Sequence, residues 1–282
     1  MTTTVFIAVL GAAILHAAWN ALVKSGKDKT MGMGAIVLGH VPLAVISIPF
    51  VPFPTPESMP YLIAGIGLHV GYQLFLLNSY KFGDLTQVYP IARGSAPLMV
   101  ALISVTVLGV TLNYLEILAV LIIGCGIISL ALVRSSDGQR NARGAVLALT
   151  TGMFIASYSI VDGIGARIAD NPLGFYAWLT IGNGMITVVY LSITSPHTFK
   201  DIATKGRLVF LLGGSASFIA YAIVTWAFTQ APIALVTALR ETSIIFALLI
   251  GVFFLKERLN LVKLLSTTTT LVGAVLLRFA RT

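Results

Sequence analysis

The chain has 282 residues, of which 57% are hydrophobic and 10% charged, with a formal net charge of +8 and a mean hydropathy of +0.95. A soluble domain carries about 25% charged residues, so this composition excludes a soluble fold. The positive charge does not point to nucleic acid either. The basic residues are scattered over the breaks between apolar blocks, with no aromatic and basic surface to hold bases.

A hydrocarbon core about 30 Å thick takes about 20 helical residues to cross, and the apolar blocks have that length. They predict an all-α membrane protein of ten transmembrane helices: 4–24, 31–50, 60–81, 84–108, 112–133, 143–168, 172–195, 206–229, 233–255 and 260–280. The breaks are short and polar, for example "SGKDKT", "VPFPTPESMP" and "RSSDGQRNAR". The first block lacks a basic leader and a small-residue cleavage site and reads as a retained span. The lone cysteine, Cys125 in span 5, reads as a small packing residue.

Taken in order, the spans carry few polar groups. In span 1, His16 and Asn20 are four apart and share a face, with Trp19 beside them. In span 3, His69, Tyr72 and Gln73 line one side. In span 4, "VYPIARGSAPLMV" places Arg93 nine residues in, about 14 Å deep at 1.5 Å per residue. Tyr89 lies one turn before it, and Pro90 and Pro97 bracket it. In span 8, Tyr221, Thr225 and Trp226 form a similar stripe, and in span 9 Arg240 precedes Glu241. A central arginine costs about 2.5–3.5 kcal/mol on insertion scales, so such residues face a cavity or a partner. Glycines such as Gly67 and Gly71, Gly124 and Gly126, and Gly182 and Gly184 read as close-approach points between helices. Asp162 and Glu116 fall near span ends and read as solvated.

The second half repeats the first. At an offset of 147, Arg93 lies over Arg240, Leu112 over Leu259, Asn113 over Asn260 and Gly126 over Gly273, without a gap. The predicted repeats are 1–137 and 138–282, each of five spans. Five is odd, so the second half enters the membrane inverted. Inverted repeats build carriers whose sites lie near the midplane between the halves.

The stretches "HAAWNALVK", "YPIARGSAPLMVAL" and "ETSIIFALLIGVFFLKERL" resemble the drug/metabolite transporter superfamily, in particular its EamA-type family, over nearly the whole chain. The first two also resemble a subgroup associated with phosphonate utilisation. The turn "LGVTLNY" departs from the family by lacking the Glu that Glu257 supplies in the second half. The resemblance implies a bacterial inner-membrane carrier with both termini in the cytoplasm. The charge rule says the reverse: thirteen loop or span-end basic residues fall on one side and Arg167, Arg278 and Arg281 on the other, which puts both termini outside.

The expected function is secondary transport, by alternating access, of a small polar metabolite with an anionic group: an amino acid, a derivative or an aminophosphonate. Arg93 and Arg240 offer planar forks for that group. Glu241 points about 100° away from Arg240 on a continuous helix, and could meet a substrate ammonium or carry a coupling proton. Alternatively, Glu241 pairs with an arginine and locks the halves. Tyr89, His16, Asn20, Trp19, His69, Tyr72, Gln73, Tyr221 and Trp226 complete the candidate substrate site. Efflux of lipophilic cations and a non-transporting scaffold are the competing readings. No enzyme motif, cofactor signature or metal-spaced His/Cys cluster is read. The partners expected are the small-molecule substrate and the lipid bilayer.

Overall fold

The structure is a computed structural model and describes residues 1–26, 28–82, 85–129, 142–253 and 261–280. Among these there are helices and no strand. In chain order they are α1 (Thr3–Ser25), α2 (Lys29–Ser47), α3 (Met59–Phe82), α4 (Leu85–Thr106), α5 (Tyr114–Ser129), α6 (Ala142–Ile168), α7 (Pro172–Thr194), α8 (His197–Thr204), α9 (Gly214–Gln230), α10 (Ile233–Arg240), α11 (Ser243–Phe253) and α12 (Leu261–Phe279). Six stretches of the described residues are long and apolar enough to cross a membrane. They lie in α1, α2, α3, α6 and α7 and over Val209–Gln230, and shorter apolar helices occupy Ile91–Thr106, Tyr114–Ser129 and Leu264–Leu277. Large apolar side chains such as Ile7, Leu102, Ile193, Leu211 and Phe253 stand exposed, as a lipid-facing surface requires.

Among the described residues, three predicted spans are not continuous α-helices. Span 2 closes with a 3-10 turn, Ile48–Phe50. Span 8 opens with a π-helical turn, Val209–Gly213, before α9. Span 9 breaks after Arg240. There the amides of Glu241 and Thr242 bond to the carbonyls of Ala238 and Leu239, three residues back, and those of Ile244 and Ile245 to Glu241 and Thr242. The Thr242 hydroxyl also donates to the Leu239 carbonyl at 2.7 Å, the kind of local side-chain bond that competes with an α-helical ladder. The angular separation expected between Arg240 and Glu241 does not keep them apart: Arg240 Nη2 lies 3.2 Å from Glu241 Oε1. A short helix not expected from the sequence, α8, follows α7 and packs on α2.

The helices pack in a reciprocal pattern. α3 lies against α6, and α9 against α1. α4 lies against α6 and α5, while α11 lies against α1 and α12. α2 touches α9, and α7 touches α3. Directly paired are α2 with α7, α5 with α12 and α4 with α10. The largest core cluster includes Val9, Ile123, Phe228 and Leu235, and a second gathers Phe175 and Leu179 with Ala44 and Phe218. α2 and α9 meet at Gly39 and Gly214, where a side chain on Gly39 would run into the Phe210 carbonyl. Gly71 accommodates Phe154 as expected of a close-approach glycine, whereas Gly67 faces open space.

Three sequence expectations are corrected here. Glu116 is buried, not solvated: its Oε2 accepts from the Asn113 amide at 2.9 Å, and Asn113 Oδ1 accepts from the Glu116 amide at 2.9 Å. This reciprocal pair caps the start of α5. Asp162 is also fully buried. A place near a span end does not make a residue wet when three neighbouring helices cover it. Cys125 is exposed, so it does not pack the interior.

Candidate functional site

A cavity with about 810 Å³ of empty space, its open side included, lies between α1, α2, α3, α4, α6, α7, α9 and α10. Its wall is aromatic and polar. His16 and Trp19 come from α1, His69, Tyr72 and Gln73 from α3, Arg93 from α4, Tyr221 from α9 and Arg240 from α10. A smaller cavity lined by Thr30, Leu77 and Leu191 adjoins it and shares Met33, Val37 and Gln73 with it. Between the two, Gln73 Nε2 donates to Asn183 Oδ1 at 3.3 Å, joining α3 to α7.

Both arginines converge on one carboxylate. Arg93 Nε lies 2.8 Å from Glu241 Oε2, and Arg240 Nη2 and Nε lie 3.2 and 3.3 Å from Oε1. The three side chains are 5%, 3% and 1% exposed, so solvent screens these contacts little. α4 supplies Arg93, and Arg240 and Glu241 come from the last residue and the C-cap of α10. Two guanidiniums against one ionised carboxylate leave one net positive charge at the cavity wall. Isolated buried charges of this kind are tolerated only when paired and hydrogen-bonded.

A second polar cluster lies beside it. Asp162 Oδ2 pairs with His69 Nε2 at 2.8 Å and accepts the Tyr221 hydroxyl at 2.7 Å. The His69 ring stacks on Tyr158, centroids 4.2 Å apart, and Tyr221 meets Tyr176 at 5.1 Å. Tyr221 joins the two clusters, because the Arg240 guanidinium sits 5.9 Å from the centre of its ring. The other oxygen of Asp162 points at Gly65; a methyl there would come within 2.7 Å of it.

The structure thus brings Arg93, Arg240, Glu241, His16, Trp19, His69, Tyr72, Gln73 and Tyr221 to one place. It does not bring Asn20 or Trp226 to the cavity wall. Asn20 donates to the His16 carbonyl within α1 at 2.8 Å, and Trp226 packs on the core cluster. Tyr89 belongs to α4, but its side chain lies outside the described residues. The sequence reading missed His40, Tyr158, Tyr176, Thr180 and Asn183, which line the cavity, and Asp162 behind it. Part of the signal was present. Tyr158 and Asp162 are four apart on one helix, as are Tyr176 and Thr180, the spacing of a shared face.

The segment 142–279 matches the EamA-like transporter family. This segment is an EamA-like transporter unit. The family resemblance read from the sequence stands, and the chain is a multi-pass integral membrane protein. It is similar to the "Putative ribose uptake protein RbsU" of two Staphylococcus epidermidis strains, ATCC 12228 and ATCC 35984. Each is 27% identical over 233 residues, which cover 78% of this chain and 75% of the relative. A solved crystal structure, described only as that of a protein, superposes with a TM-score of 0.77 at 16% identity. That match covers 98% of this chain and 96% of the other, so the fold extends over both halves. The bacterial relatives agree with a bacterial cytoplasmic membrane.

Proposed function

We propose that the protein is a secondary carrier of a small polar metabolite bearing an anionic group, an amino acid, a derivative or an aminophosphonate. The observation that carries this is the Arg93–Glu241–Arg240 cluster on the cavity wall. The carboxylate of Glu241 occupies the place a substrate anion would take. An incoming carboxylate or phosphonate has two planar donor forks to engage, and the surplus positive charge favours it. Alternating access follows from two inverted five-helix repeats, 1–137 and 138–282. The reciprocal packing supports this reading: exchanging α1 with α6, α2 with α7, α3 with α9, α4 with α10–α11 and α5 with α12 carries α3–α6 onto α1–α9, α4–α6 onto α1–α11, α4–α5 onto α11–α12 and α2–α9 onto α3–α7.

A neutral polyol is the second reading. The relatives named for ribose uptake favour it, and aromatic walls with scattered hydrogen-bonding groups suit such a ligand. One experiment separates the two. The purified protein is melted with ethylphosphonate, propionate or D-ribose, since a ligand that binds only the folded state raises the melting temperature. Stabilisation by the anions, lost in Arg93→Ala, is the expected result. Stabilisation by D-ribose alone would replace the anion reading with the polyol one.

A further inference from the structure

We propose that His69, held by Asp162 and surrounded by tyrosines, forms a second subsite in the same cavity that takes a substrate ammonium. This rests on the anion reading of the two arginines and makes the preferred substrate a zwitterion.

Glu241, the acid first considered for an ammonium, is committed to two guanidiniums at 2.8 and 3.2 Å. Among the described residues the other acid at the cavity is Asp162, which is buried behind the lining and reaches it through His69 and Tyr221. A carboxylate only accepts hydrogen bonds, so the imidazole presents Nε2–H to it. In the neutral ring this leaves Nδ1 as an acceptor, and Nδ1 makes no hydrogen bond among the described residues. An ammonium N–H fits that acceptor. Tyr158, stacked on the His69 ring at 4.2 Å, and Tyr221, edge-on to it at 5.5 Å, hold the imidazole in place, and the Asp162 charge lies behind it. Asp162 is therefore a positioning residue and His69 the contact.

The spacing is set by Tyr221. Its ring lies under Arg240 and its hydroxyl bonds Asp162, so the cationic and the acceptor poles are separated by one phenol. A molecule with an acid and an amine a few bonds apart bridges them. His40 from α2 and Tyr176 from α7 complete the titratable groups around this pole. Neither bonds Asp162 in the structure.

The test uses matched probes: 2-aminoethylphosphonate against ethylphosphonate, and β-alanine against propionate. Binding is measured by thermal shift and calorimetry on the full chain. In the wild type the amine-bearing member of each pair should bind roughly ten- to a hundredfold more tightly, the scale of one charged hydrogen bond. In Asp162→Asn and in His69→Phe, which keeps a ring on Tyr158, that advantage should vanish. A general packing defect would weaken both members of a pair and leave their ratio unchanged. Gly65→Ala, which crowds Asp162 Oδ1, gives a third variant should Asp162→Asn fail to fold. An unchanged ratio in the folded variants overturns the subsite. If the amine confers no advantage in the wild type while the anions bind, the subsite is wrong and the arginine reading survives. If no anion binds, both fail.

Discussion

The pair of guanidiniums on Glu241 makes a testable claim at the scale of single residues. Removing one partner of a buried ion pair costs about 3–5 kcal/mol, because the remaining charge is left uncompensated. In Glu241→Gln two arginines face one another with no carboxylate between them, and the melting temperature should fall accordingly. Ethylphosphonate should then stabilise Glu241→Gln more than the wild type, since it supplies the missing charge. Equal stabilisation of the two would mean that the arginines do not form a shared anion site. Arg93→Lys asks a different question of the same cluster. A point charge keeps the ionic attraction but loses the planar fork, so anion binding should weaken by about 1–3 kcal/mol in calorimetry while the protein stays folded. The arginines and Glu241 stood out in the sequence because charges inside apolar spans are rare. Asp162 did not stand out. Its importance comes from His69 and Tyr221, 93 and 59 residues away, and nothing local to "SIVDGIG" announces them.

At the scale of elements, local chemistry decided where helices start and stop. The Asn113–Glu116 pair closes the N-terminus of α5, and Asn113 Nδ2 also donates to the Ala280 carbonyl at 2.8 Å. Glu116→Gln keeps a side chain that can accept from the Asn113 amide and should cost little. Glu116→Ala removes the acceptor and should cost about 1–2 kcal/mol in chemical denaturation; equal losses in the two variants would contradict the capping role. The broken span 9 was not legible. The polar stretch Arg240–Ser243 interrupts its apolar run at the break, but such a stretch fits a continuous helix equally well, and the Thr242 hydroxyl bonded to the Leu239 carbonyl is seen only in the structure. Opposite it, the Arg167 side chain donates to the Phe228 and Ala231 carbonyls at 2.8 and 2.9 Å. A residue read from sequence as a marker of topology is therefore also the cap of α9.

For the whole molecule the open question is which face meets the cytoplasm. The smaller cavity leads from the central one toward Thr30, Leu77 and Leu191. Gly34 there faces Leu191, Thr198 and Ile202, so this is the end that carries α8. It is also the end with Lys29, Lys200, Lys205 and Arg207. The other end is where Thr55 bonds the Ile168 carbonyl and Arg167 caps α9. By the positive-inside bias the α8 end is cytoplasmic and both termini lie outside; the family resemblance implies the reverse. Labelling with a membrane-impermeant maleimide decides it. Cys125 is the one native cysteine, so the background is Cys125→Ser. On it, Lys200→Cys probes the α8 end, and Glu57→Cys, exposed on the turn before α3, probes the other. The charge rule predicts that in intact cells Glu57→Cys is labelled and Lys200→Cys is protected until the membrane is opened. The opposite pattern would place both termini in the cytoplasm and would show that in this chain the basic loops do not set the orientation.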